Sequence, residues 1–174
     1  MAVTQQLARV PAEYLAACRK SADESPGGDH HWDPPSSDCL DLDWAPALLA
    51  GACRLAQLDD VHLDALRWAT EGDTEVDLGF LNVYPHAIGP FGPPPTLLSP
   101  GAVARVSALL GEIDIQAIVA TLPADRHHAA SLFGRGPEFI PDGLAEYLLR
   151  HFDALRKFYG EAARRGLLIV LWWD

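Results

Sequence analysis

DGLAEYLLRHFDALRKFYGEAARRGLLIVLWWD, residues 142–174, reads as a helix followed by a strand, and the other segments are most economically read as packed around it. Leu144, Leu148, Phe152, Leu155, Tyr159 and Ala162 recur at spacings of three and four. That spacing makes one apolar stripe of a helix, while Glu146, Arg150, Asp153, Arg156 and Lys157 fall outside it. Asp142 is the expected N-cap, its carboxylate accepting from an orphan backbone N–H. Arg164, Arg165 and Gly166 supply a cationic last turn and a left-handed stop. Residues 167–173 contain no polar side chain. An unbroken apolar run of strand length predicts an interior strand covered on both faces rather than one half-exposed.

Outward from this pair the chain alternates between ordered and broken stretches. Residues 3–10 predict a first strand, with Pro11 in the first turn of a helix over 12–22. SPGGDHHWDPPSSD, residues 25–38, has the composition of a long surface loop. A helix from about 43 to 58 buries Leu48, Leu49, Ala52, Cys53 and Leu55. A second, capped by Asp59 or Asp60, buries Val61, Leu63, Leu66 and Ala69 and stops at Gly72. Residues 78–84 predict a strand, and HAIGPFGPPP after it leaves only loop or an edge strand as far as Leu97 and Leu98. Ser99 and Pro100 open a helix through Val103, Val106, Leu109 and Leu110. Shorter helices are expected at 113–122 and 125–133. The predicted fold class is α+β, several helices packed on a small mixed β-sheet, with residues 1–174 forming one domain.

Composition narrows the function classes. A chain of 174 residues buries roughly 70% of its unfolded surface, enough for a core without metal or disulfide staples. Cys18, Cys39 and Cys53 form no CxxC pair, and no charged and apolar leader opens the chain, so a reduced cytoplasmic protein is expected. The longest apolar run is far shorter than the ~20 residues that span a bilayer. The net charge of -11 opposes nucleic-acid binding. Its distribution is uneven: residues 23–77 hold 14 acids against two bases, Arg54 and Arg67, whereas the remainder has 10 acids against 11 bases. Such a segment is either a solvated acidic face or a patch that recruits a basic partner.

LDLDWAPALLAG (40–51), Gly89-Pro90 after a short strand, LLSPGAVARVSALL (97–110) and the final helix and strand together resemble the YfbM-like family of small bacterial domains, whose biochemical function is not established. The resemblance covers most of the chain after Leu40 and implies an α+β fold and a soluble bacterial protein, without implying a reaction. Two departures stand out against the family pattern. Thr4, Gln5 and Gln6 replace an aromatic and glycine-containing first strand, and Trp44, Pro46, Ala47 and Ala50 stand where Lys, Trp and His usually follow the LDLD.

Candidate chemistry is sparse. Asp29, His30, His31, Asp33, Asp38 and Cys39 are metal-ligating types at poor spacing, with no HExxH or paired CxxC, so neither a metal nor another cofactor is expected; His127 and His128 are read in the same way. Asp41 and Asp43 are read as helix-capping acids. No GxSxG elbow is present, and prolines interleave the glycines at 89 and 92, which removes the N–H groups a phosphate loop needs. The favoured expectation is a non-catalytic binding domain, of the immunity or regulator type, that meets a basic protein through an acidic face with Asp59, Asp60 and Asp64 and through the loop at 25–38. The alternative is a small-molecule enzyme with a cleft near Tyr84, His86, Trp172 and the end of the last strand.

Overall fold

The computed structural model of the chain describes residues 3–73, 77–134, 140, 141 and 143–174. In order these form β1 (Gln5–Val10), α1 (Ala12–Glu24), β2 (Cys39–Asp43), α2 (Ala45–Leu55), α3 (Asp60–Glu71), β3 (Thr96–Leu98), α4 (Pro100–Glu112), α5 (Ile115–Val119), α6 (Arg126–Phe133), α7 (Leu144–Arg165) and β4 (Leu168–Trp173). The sheet order is β2-β1-β4-β3, so β4 is interior as its apolar run demands. Every ladder is antiparallel, and the sheet is therefore not mixed. Gly166, left-handed at φ 65, turns β4 back along α7. β1 then runs against β4, Thr4 and Asp174 exchanging backbone hydrogen bonds at 2.8 and 3.0 Å.

The period of two along β4 separates two cores. Ile169 and Leu171 face the larger one, where Leu148, Phe152, Leu155 and Tyr159 of α7 meet Leu49, Ala52 and Cys53 of α2 and Val103, Val106 and Leu110 of α4. Leu168 and Val170 face a smaller one with Val10, Leu15, Leu78, Leu81 and Leu97. The whole predicted α7 stripe is buried, and Tyr147 and Phe158 join it. The N-cap expected at Asp142 lies outside the described residues; the helix begins after Gly143, at φ 87. Ser99 caps α4, accepting from Ala102 N at 3.3 Å.

Three local expectations give way. Residues 79–82 form a 3-10 turn, not a strand, because the Asp77 carboxylate accepts from Gly79 N at 2.8 Å and competes with a ladder. Leu81 then plugs the smaller core. Asp41 and Asp43 cap no helix: both lie in β2, and the α2 N-cap is Trp44, with no side-chain bond. Val61 and Leu55 are exposed rather than buried, since α3 packs through Ala65, Leu66, Ala69 and Thr70. The loop at 25–38 is fastened over the smaller core. Trp32 packs edge-on to Trp172 at 6.0 Å, Asp33 N donates to the Tyr14 hydroxyl at 2.8 Å, and Asp38 ends the loop between two arginines.

Candidate functional site

The last carbonyls of α3 have no partner within the helix and must find donors elsewhere. They are met by side chains from three other elements. The Tyr159 hydroxyl donates to Ala69 O at 3.0 Å, Gln5 Nε2 donates to Thr70 O, and Thr96 Oγ1 donates to Glu71 O at 2.7 Å. Gly72 follows at φ 71, where a Cβ would run into Thr96 Oγ1. The helix end is thereby drawn down onto the sheet beside Trp173. Gln5 is only 1% exposed. Its amide is oriented by the Thr70 carbonyl, which leaves Oε1 with no hydrogen-bond partner among the described residues.

Between α2, the end of α3 and the end of β4 lies a cleft of about 530 Å³ lined by Arg54, Asp64, Arg67, Glu71 and Trp173. Across Thr70, Glu71 and Trp173 it meets an adjoining cleft of about 370 Å³, whose walls include Gln5, Pro93, Pro94, Thr96 and Trp172. Both bases of the acidic third therefore stand over one depression. Arg67 is paired with Asp64 at 3.0 Å, whereas Arg54 and Glu71 form no ion pair among the described residues.

The sequence-predicted residues separate into two places. Asp59, Asp60 and Asp64 are exposed on the N-terminal half of α3. Asp59 is the N-cap, accepting from His62 N at 3.1 Å. The His62 ring bridges α3 to α4, with Nδ1 2.8 Å from Asp59 and Nε2 3.2 Å from Glu112. Hydrogen bonding to Asp59, with Glu112 adding to it against an opposing effect of burial, raises the imidazole pKa above its ordinary value. Trp172 lines the inner cleft; Tyr84 and His86 do not line either part. Tyr84 is 89% exposed, and the His86 carbonyl accepts from His30 Nε2 at 2.5 Å.

The loop cluster does not converge. His30 spends both ring nitrogens, Nε2 on the His86 carbonyl and Nδ1 on Trp32 N at 3.1 Å. Asp38 is held by Arg165 at 2.6 Å and Arg9 at 2.7 Å, which keep its carboxyl below the usual carboxylate range. Among the described residues no three His, Cys, Asp or Glu side chains are placed to hold a metal ion. A second polar group gathers where β2 meets α7. There the Tyr147 hydroxyl accepts from Trp44 N at 3.2 Å, and its pKa is pushed up by burial and then by Asp43. Its ring lies 4.3 Å from that of His151, whose imidazole pKa burial pushes down.

Sequence reasoning missed Gln5, Arg54, Glu71 and Trp173 as neighbours. Two signals pointed their way: a polar residue at an inward position of a strand beside the hydrophobic Leu7, and the isolation of two arginines in an acidic third.

No helix among the described residues is long and apolar enough to cross a membrane. No curated protein matches the chain. The crystal structure of YfbM from Escherichia coli, a protein of unknown function, is similar over 97% of this chain and 98% of that one, with 14% identity and a TM-score of 0.56, a likeness of fold alone. Residues 63–172, which run from the first turn of α3 almost to the end of β4, match the family model described as a domain of unknown function (DUF1877). That match takes in more than half of the sequence, and the chain belongs to the DUF1877 family.

Proposed function

We propose that this chain is a non-catalytic binding domain and that a basic protein partner docks on the outer face of α3. The observation that carries the reading is the makeup of that face. Asp59, Asp60 and Asp64 are exposed on the same helix as two apolar side chains left in solvent, Val61 at 59% exposure and Trp68 at 36%, the Trp68 ring lying 5.9 Å from the Arg105 guanidinium. A half-exposed tryptophan on a helix that also carries exposed carboxylates has the composition of an interface anchor with a charged rim. The net charge of -11 adds long-range attraction for a cationic surface. The reading further takes residues 1–174 to act as one domain in the cytoplasm, where free thiols such as Cys18, Cys39 and Cys53 persist. The second reading, a small-molecule enzyme, is supported by the cleft beside Trp172, although Tyr84 and His86 stand apart from it.

The test is recovery of a partner from the native host at low salt, followed by binding kinetics. Asp59→Asn, Asp60→Asn and Asp64→Asn together should slow association more than they speed dissociation, because rim charges act on encounter. Asn also serves as an N-cap, so α3 should persist. Added salt should weaken binding as the screening length falls below ~8–10 Å. Recovery of no partner at low salt, or association unaffected by half-molar salt, removes the reading.

A further inference from the structure

We propose that the cleft between α2, the C-terminal end of α3 and Trp173 binds a zwitterionic ligand of the free amino-acid class, its carboxylate on Arg54 and its ammonium on Glu71, with its side chain over Trp173. The site borders the outer face of α3, sharing Asp64 with it, and does not depend on a protein partner. Its lining decides the ligand class by charge. A phosphate or dicarboxylate entering the cleft meets Glu71 and Asp64, and a polyamine meets Arg54 and Arg67. Within this set Asp64 and Arg67 neutralise one another at 3.0 Å, which leaves one cation and one anion without an ion-pair partner among the described residues. A ligand with one charge of each sign answers both.

The two groups stand on different elements. Arg54 lies in the last turn of α2 and Glu71 in the last turn of α3. Trp173 lines both parts of the depression with Thr70 and Glu71. Its indole offers an apolar face to a side chain and an electron-rich face to an ammonium group. Gln5 supplies an independent observation. It lines the inner part, is almost wholly buried, and keeps its amide carbonyl oxygen without a hydrogen-bond partner among the described residues. An ammonium lodged beside Glu71 carries three N–H donors for its carboxylate, in a depression whose inner wall already holds an unsatisfied acceptor. The outer part, at about 530 Å³, is within the size range of small-molecule sites.

The test is isothermal titration of the full chain with each of the twenty free L-amino acids. Saturable binding is expected for apolar or aromatic members. For the tightest of them, amidation of the carboxylate or acetylation of the amine should each weaken binding about tenfold or more, the usual effect of losing one charge-assisted contact. Arg54→Gln should abolish the discrimination between that amino acid and its amide while keeping discrimination against the acetyl form; Glu71→Gln should do the reverse. Both side chains are exposed, and circular dichroism checks that both variants remain folded. Absence of saturable binding by all twenty at millimolar concentration overturns the proposal. So does binding of the amide and acetyl derivatives as tight as that of the unmodified amino acid, or unchanged discrimination in the two variants.

Discussion

Single residues show how strictly burial decides which side chains matter. Leu155 is 0% exposed at the centre of the α7 stripe, and Leu155→Ala should cost on the order of 2–5 kcal/mol in urea melts. A loss of under half a kcal/mol would mean that a different face of α7 carries the core. Gln5 was legible only as a strand residue. Its polarity gave no hint that it caps a helix 65 positions away, because the acceptor, the Thr70 carbonyl, is brought to it by tertiary packing. Asp38 shows the converse. Its sequence neighbours His31, Asp33 and Cys39 invite a metal reading, yet two arginines from β1 and α7 claim the carboxylate first.

Elements supply the next level, where the α3–α4 contact contains a titratable clamp. His62 joins Asp59 on α3 to Glu112 on α4, and its folded-state pKa is raised above the ordinary value. A group whose pKa rises on folding contributes stability that is full below its unfolded value, ~6.5 for histidine, and is lost as pH rises through the folded value. The parent chain should therefore exceed His62→Gln in melting temperature most clearly near pH 6, with the gap closing at alkaline pH. A gap that is constant with pH, or wider at alkaline pH, would show that the ring acts by packing rather than by charge. Helix existence was legible throughout, since caps and periodicity are local. Strands were legible only in part: β1 and β4 stand where expected, whereas β2 was not foreseen and the strand expected at 78–84 is a turn at 79–82, because an extended segment becomes a strand only when a neighbour offers a ladder.

At the scale of the whole molecule, the first and last strands lie side by side, six residue pairs of β1 and β4 running from Gln5↔Trp173 to Val10↔Leu168. The segment matched by the family model begins at residue 63 and so excludes β1, β2 and α2. A chain comprising residues 63–174 alone should show no cooperative thermal transition, since β4 would lose its longest ladder and α7 the helix α2 packed against it. A sigmoidal melt from that fragment would show that β1 and α2 are accessory. By itself the sequence determined the α+β class, the buried stripe of α7, the interior place of β4 and the capped starts of α3 and α4, all set by short-range periodicity and local hydrogen bonding. Tertiary structure alone decided the antiparallel pairing and the gathering of Gln5, Arg54, Glu71 and Trp173 around one cleft. Those four residues come from two strands at opposite ends of the chain and two helices between them, and no local preference encodes which distant carbonyl or indole a side chain will meet.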